Sequence, residues 1–203
     1  MVLTARRYII DRYDTLPGIT VFLHASRFQW HNDNPDYDGL LSMRNLSLSY
    51  IQEEGYVNLR CVWVLGCPVE IRPAKHAFEA SIKEPDHELE AKDIYKAAFE
   101  ELLPDNAVPE EVGVPCCSQF AVTRETIRRR PREDYVRFRD WLIKTKLDDS
   151  LSGRVLEYSW HSTFPQPSGG ETDTDVSCSS HFRKEGGALP FREPLLLQAL
   201  RHV

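Results

Sequence analysis

The order of apolar and polar positions along the chain predicts a mixed structure of helices and strands. Apolar residues recur at helical spacing in four segments: 3–14, 88–103, a segment that begins at Pro131, and 151–164. Short apolar runs bounded by glycine or proline predict strands at 19–24 and 56–65, and a third apolar run spans 112–122. The segment 40–51 fits a short helix or an extended segment, and the polar, proline-bounded segment 72–87 is predicted to be a surface loop.

The densest group of polar side chains follows the first predicted strand, in the loop 25–39. Beside Trp30 this loop contains His31, Asp33, Asp36 and Asp38. Loops that leave a buried strand often carry the chemistry of α/β proteins. Carboxylates at Asp-x-Asp spacing can hold a hard divalent cation, which in turn neutralises a diphosphate. The same residues also make an ordinary turn with Asx capping, so both interpretations stay open.

A second group of polar residues lies on the last predicted helix. On an ideal helix, Arg154, Glu157 and His161 project within about 60° of one another. A carboxylate held beside a histidine suits acid–base catalysis. The alternative is an exposed ion pair with an arginine neighbour, which stabilises a helix by only a few tenths of a kcal/mol.

Arginines are concentrated in a helix predicted to start at Arg124, with Thr123 as its N-cap, and in the helix that begins at Pro131. They are Arg124, Arg128, Arg129, Arg130, Arg132, Arg137 and Arg139. Guanidinium groups bind phosphate through paired hydrogen bonds, so this row could contact a phosphorylated ligand. Acidic residues are interleaved with the arginines, which favours a solvated helical surface instead.

Composition limits the class of protein. A chain of 203 residues can form one domain with a real core, which we place at residues 1–164. The net charge of −6 argues against DNA binding. No apolar run is long enough to span a bilayer and the start lacks a signal-peptide pattern, so a soluble cytosolic protein with reduced cysteines is predicted. Residues 165–203 are rich in turn formers and are expected to be disordered or loosely packed.

Several uncommon residue patterns occur in a fixed order along the chain. They are Tyr8-Ile-Ile-Asp-Arg-Tyr-Asp14, Gln29-Trp-His-Asn-Asp33, Gly55-Tyr-Val-Asn-Leu-Arg-Cys61, Cys116-Cys117-Ser-Gln-Phe120 and Gly153-Arg-Val-Leu-Glu157-Tyr-Ser-Trp-His161. In this order they closely resemble a family of fungal proteins described only as a domain of unknown function, over residues 8–164. Members of that family usually carry a further N-terminal portion, so the resemblance implies a truncated or alternatively spliced member.

More distantly, the same patterns are similar to nucleotide-sugar glycosyltransferases of the GT-A type. This similarity implies an incomplete GT-A-like α/β/α layered fold with a small central sheet and a C-terminal helical part. It implies a metal and donor site, with Mn²⁺ or Mg²⁺ as cofactor, made by His31, Asp33, Asp36 and Asp38. It further implies substrate contacts from Trp30, Gln119, Arg124 and Arg154, and a catalytic pair made by Glu157 and His161.

Three functions are consistent with these observations. The first is a glycosyltransferase-like enzyme of fungal secondary metabolism or cell-wall synthesis, which uses a nucleotide-sugar donor and a small-molecule or glycan substrate. The second is another group-transfer enzyme of fungal secondary metabolism, with a donor such as an aminoacyl-tRNA bound by the arginine-rich helices. The third is a non-catalytic relic or binding module. We expect the first.

Overall fold

The computed structural model describes residues 2–32, 35–60, 70–84, 86–114 and 118–164. The helices in these ranges are α1 Val2–Arg12, α2 Gly39–Arg44, α3 Leu48–Glu54, α4 Pro73–Ser81, α5 Ala91–Leu102, α6 Arg124–Arg128, α7 Arg132–Lys144, α8 Asp149–Tyr158 and α9 Trp160–Thr163. The strands are β1 Ile19–Phe22, β2 Tyr56–Asn58 and β3 Phe120–Thr123. A short 3₁₀ turn, Tyr13–Thr15, follows α1. The described residues therefore form a mixed α/β structure.

The three strands form one antiparallel sheet with β3 in the centre. On one side Phe120 pairs with Phe22 of β1, and on the other it pairs with Asn58 of β2. The last strand in sequence thus lies between the two earlier ones. This order places the residues that flank β3 close to the ends of both neighbouring strands.

Strand β3 is buried on both faces, and successive residues face different parts of the core. Phe120 and Val122 contact the larger apolar cluster, which includes Tyr135 and Trp160. Ala121 contacts a smaller cluster that includes Ile51. The short sheet is therefore held by helices on both sides rather than by its own length.

A buried arginine lies within the larger cluster. The side chain of Arg6 is 0% exposed, and its guanidinium carbon lies 4.4 Å from the ring centroids of both Phe138 and Trp160. Burial lowers the pKa of this guanidinium to about 9. Its Nη2 donates to Thr163 Oγ1 at 3.4 Å, whereas Nε and Nη1 have no hydrogen-bond partner among the residues that the structure describes. The cation–π contacts thus tie α1 to α7 and α9.

Most of the predicted elements are confirmed within the described ranges. The helices expected at 3–14 and 88–103 are α1 and α5, and Thr123 caps α6 by accepting a hydrogen bond from the Thr126 amide. The segment 40–51 is helical, as α2 and most of α3. The strand predicted at 56–65 is observed at Tyr56–Asn58, and its portion beyond residue 60 lies outside the described residues.

Two predictions are wrong. The segment 72–87 is not a loop, because Pro73 starts α4, which packs along α5. Proline suits the first turn of a helix, where its missing amide hydrogen costs nothing, and this signal was available in the sequence. The single helix predicted over 151–164 begins earlier, at Asp149, and is divided at Ser159 into α8 and α9.

The arginine row connects parts of the fold. Arg128 donates to the carbonyl oxygens of Tyr13 and Asp14, and Arg132 to that of Ile10. Arg130 donates to the carbonyl oxygens at the end of α9. Their guanidinium groups therefore satisfy backbone carbonyls near helix ends, a use that the solvated-surface interpretation did not include.

Several predictions fall on residues outside the described ranges. They concern Asp33, the segment 165–203, and the cysteines Cys61, Cys67, Cys116, Cys117 and Cys178. Among the described helices, none is long and apolar enough to cross a membrane.

Replacing Gly55 with alanine is expected to lower the free energy of unfolding by about 1–3 kcal/mol. Gly55 ends α3 with φ at 77°, and an added Cβ would lie 2.3 Å from Thr126 Oγ1. The matched control is Gly153→Ala in α8, where nothing lies within 4 Å of an added Cβ. This control should raise the free energy of unfolding by about 0.5–1 kcal/mol. Urea denaturation of both variants checks the contrast, and equal stability of the two would contradict it.

Candidate functional site

A single buried amide joins the polar loop to the sheet. Gln119, which is 3% exposed, precedes β3. Its Oε1 accepts a hydrogen bond from the backbone amide of His24 at 3.0 Å. Its Nε2 donates to the carbonyl oxygen of His31 at 3.1 Å and lies 3.4 Å from Asn32 Oδ1. The expected role of Gln119 as a substrate contact does not fit this burial, because its amide group is used to position the loop.

The backbone next to Gln119 is strained. Ser118 has a φ of 40°, which a residue with a side chain rarely adopts. Its hydroxyl accepts a hydrogen bond from the indole nitrogen of Trp160 at 3.0 Å. This contact helps to hold the conformation that turns the Gln119 side chain towards the loop.

An ion pair closes the base of the loop. Both carboxylate oxygens of Asp38 accept from Arg27, from Nε at 2.8 Å and from Nη2 at 2.7 Å. Asp38 also caps α2 by accepting from the Leu40 amide at 2.9 Å. The hydrogen bonds with Arg27 lower the pKa of Asp38 to about 2. Inside the loop, the Asn32 side chain donates to the carbonyl oxygens of Arg27 and Tyr37, each at 2.7 Å.

His31 lies at the centre of a group of stacked side chains. Its ring centroid is 4.4 Å from that of His24 and 4.1 Å from that of Trp30. The guanidinium carbon of Arg60 lies 4.8 Å from the Trp30 ring. Sequence reasoning gave Arg60 no role, although it belongs to the Gly55–Cys61 pattern, because it lies far from the loop in sequence.

The surroundings of His31 favour the neutral imidazole. Burial and the positive charge of Arg60 lower the pKa of His31, while the carboxylate of Glu157 opposes them. Among the described residues, no hydrogen-bond partner is present for the buried Nδ1 of His31. An imidazole of this kind can accept a proton near neutral pH, and the nearby Glu157 carboxylate would stabilise the resulting cation.

Glu157 and His161, which were predicted as a catalytic pair, have different surroundings in the structure. Glu157 is close enough to His31 to affect its pKa and accepts from Arg154 Nη1 at 2.9 Å. His161 lies on α9, beyond the division at Ser159, and is exposed. The predicted pairing of Glu157 with His161 assumed one continuous helix, whereas the helix divides between them at Ser159, and the pairing stays a prediction.

Arg124 is separated from this group of side chains. It follows β3, whereas Gln119 precedes it, so the two residues lie roughly 16 Å apart along an extended chain. Arg124 lines a cavity of about 410 Å³ together with Gly55, Thr126 and Arg129. The cleft predicted from sequence thus corresponds to two places in the structure.

The predicted metal ligands fit a metal ion poorly as they are arranged. Asp38 already accepts two hydrogen bonds from Arg27, and Asp36 is exposed. Among the described residues there is no group of three or more histidine, cysteine, aspartate or glutamate side chains that could hold a metal ion. Because Asp33 lies outside those residues, a site that includes it with His31 stays a prediction.

Removing the Asp38 carboxylate tests the ion pair at the base of the loop. The folded-state pKa of about 2 lies below the ordinary 3.8, so the charged form stabilises the fold above pH 3.8 and this contribution is lost as the pH falls towards 2. The Asp38→Asn variant should therefore be less stable than the wild type above pH 3.8, and the difference should shrink below it. Urea denaturation across this pH range measures the free energy of unfolding of the wild type and of Asp38→Asn. A difference that does not change with pH would contradict the assignment.

Comparison with known proteins gives a family but no described activity. The chain matches a family described as "Protein of unknown function (DUF3431)" over residues 3–182. This range is wider than the 8–164 expected from the sequence patterns and extends past Phe164. No curated protein and no solved structure matches the chain. Since the match covers most of its length, the chain belongs to the DUF3431 family.

Proposed function

We propose that the chain is a glycosyltransferase-like enzyme that transfers a sugar from a nucleotide-sugar donor to an acceptor hydroxyl. The observation that supports this most is His31, a histidine whose pKa is lowered by burial and by Arg60. It lies against an exposed tryptophan and within electrostatic reach of the Glu157 carboxylate. A neutral base beside an aromatic surface suits the activation of a sugar hydroxyl.

In the proposed reaction, the acceptor oxygen attacks the anomeric carbon of the donor sugar. The proton of the acceptor hydroxyl passes to His31, and Glu157 stabilises the imidazolium that forms. The bond between the anomeric carbon and the diphosphate oxygen breaks, and the nucleoside diphosphate leaves with the electron pair. Proton and charge therefore balance without a further reactant.

Two arginines support binding of the diphosphate. Arg60 lies close enough to His31 to affect its pKa, and Arg154 contacts Glu157 and is half exposed. Guanidinium groups bind phosphate oxygens through paired, charge-assisted hydrogen bonds. Because Asp38 is engaged by Arg27, we route no step through a metal ion.

Three further elements of the proposal rest on the sequence resemblance. They are a relationship to the GT-A fold, a fungal source and a place in fungal secondary metabolism. The involvement of several arginines in contacts with backbone carbonyls gives less support to the aminoacyl-tRNA alternative, which needs them to meet RNA.

Release of nucleoside diphosphate from UDP-glucose, UDP-N-acetylglucosamine or GDP-mannose tests the proposal. We expect release from at least one donor, and a fall in kcat/KM of about 10²–10⁴-fold in His31→Asn. Glu157→Gln should also lower kcat/KM. The acidic limb of the pH profile should show an apparent pKa below 6.5, because the neutral form of His31 is required and its pKa is lowered from that value.

A second variant, His161→Asn, distinguishes the proposed pair of His31 and Glu157 from the pair of Glu157 and His161 predicted from sequence. His161 is exposed on α9, so this variant should retain most of the activity. Loss of activity in His161→Asn with full activity in His31→Asn would restore the pairing predicted from sequence. Absence of release from every donor by the folded chain would refute the transferase proposal.

A further inference from the structure

Large apolar side chains are exposed on the polar loop. Phe28, Trp30 and Tyr37 are 62%, 59% and 52% exposed, and Leu40 is 37% exposed where α2 begins. We call these four residues the aromatic patch. They lie on two arms of the loop that pair at Phe28 with Asp38 and at Gln29 with Tyr37. Several exposed apolar groups on one such segment often mark a binding site.

The described residues of the loop that carries the aromatic patch are tied to one another by hydrogen bonds. Its two arms meet through the hydrogen bond from the Gln29 amide to the carbonyl oxygen of Tyr37 at 3.1 Å and through the ion pair of Arg27 with Asp38. Asn32 fills the space between the arms and donates to both. A ligand that binds to these rings would therefore not have to order the loop, which reduces the entropic cost of binding.

Two of the rings carry a cation on one face. The guanidinium carbon of Arg60 is 4.8 Å from the centroid of Trp30, and that of Arg27 is 4.8 Å from the centroid of Phe28. A guanidinium plane can cover one face of a ring and fix its orientation. The ring of His31 also lies 4.1 Å from the centroid of Trp30, but more than half of Phe28 and of Trp30 is exposed, which leaves area for a further flat group.

We infer that the aromatic patch binds the sugar units of an oligosaccharide or polysaccharide acceptor. Pyranose rings present C–H groups on one face, which pack on an aromatic ring, and hydroxyl groups at the rim, which need hydrogen-bond partners. The loop supplies both kinds of contact, since the exposed carboxylate of Asp36 and the partly buried amide of Gln29 lie between Phe28 and Tyr37 in sequence. The assignment of this sugar as the acceptor rests on the proposed function.

The position of Trp30 connects the patch to the reaction. The ring centroids of Trp30 and His31 are 4.1 Å apart. A sugar stacked on Trp30 would therefore bring a hydroxyl group next to the proposed base. Binding on the aromatic patch would therefore position the acceptor hydroxyl for sugar transfer.

A membrane surface fits the same patch less well. Insertion of the loop into lipid would remove the exposed carboxylate of Asp36 from water, which is unfavourable for a charged group. The hydroxyl groups of a sugar can instead donate to that carboxylate. The charge within the loop thus favours a carbohydrate over a bilayer.

Calorimetric titration with cellohexaose, chitohexaose and maltohexaose, in the absence of a donor, tests this inference. The wild type should bind at least one hexaose, and Trp30→Ala should weaken that binding by about tenfold or more, as expected for loss of one stacking contact. The matched control is Phe78→Ala, since Phe78 lies on α4 and is 67% exposed. This control should bind like the wild type.

Failure to bind any hexaose, or equal weakening in Trp30→Ala and Phe78→Ala, would overturn the inference. So would binding to phosphatidylcholine vesicles that is lost in Trp30→Ala, which would assign the patch to a membrane surface. Hexaose binding without release of nucleoside diphosphate would refute the transferase proposal alone. Donor turnover without hexaose binding would refute the carbohydrate patch alone.

Discussion

The hydrogen bonds of the Gln119 amide are the interaction on which the candidate site depends. They join the segment before β3 to His24 and His31, which lie 95 and 88 residues earlier in sequence. Polar groups buried at such a junction must be paired, because each unpaired group costs about 1–3 kcal/mol. The hydrogen bonds of Gln119 therefore fix His24 and His31 against the sheet, where the ring of His31 packs against those of His24 and Trp30.

The apolar core supports this amide through a short series of contacts. Trp160 donates to the hydroxyl of Ser118, the strained residue that precedes Gln119. On its other side Trp160 contacts the buried guanidinium of Arg6, which also packs on Phe138. Strain in a backbone is retained only where the surroundings determine the conformation, and here a large aromatic cluster does so. The chemistry proposed for the loop thus depends on how α1, α7 and α9 pack.

The fold could be predicted from sequence to the extent that local pattern determines it. Apolar periodicity identified α1 and α5, and the Thr123 cap located the start of α6. The polar composition of residues 72–87 favoured a loop over the helix α4, although Pro73 marked the first turn of that helix. Sheet order could not be predicted, because β3 pairs with strands that lie far from it in sequence.

The site could be located in part. The loop with His31 and the helix with Glu157 were both predicted, and the structure brings them within electrostatic reach. The ion pair of Glu157 with Arg154 was one of the two alternatives, but the proximity of Glu157 to His31 was not predicted, because the two residues lie far apart in sequence. The role of Gln119 was also hidden, since one polar residue in an apolar run does not show whether it faces solvent or the loop.

Hydrogen exchange in a Gln119→Ala variant, followed along the backbone, tests the role of this amide most directly. If Gln119 holds the loop, exchange should become faster from His24 to Leu40, while α1 and α5 keep their protection. The exposed Gln52 offers a matched control, and Gln52→Ala should leave the exchange of the loop unchanged. Unchanged exchange in the loop of Gln119→Ala, or an equal increase across the whole chain, would contradict the claim that this amide positions the site.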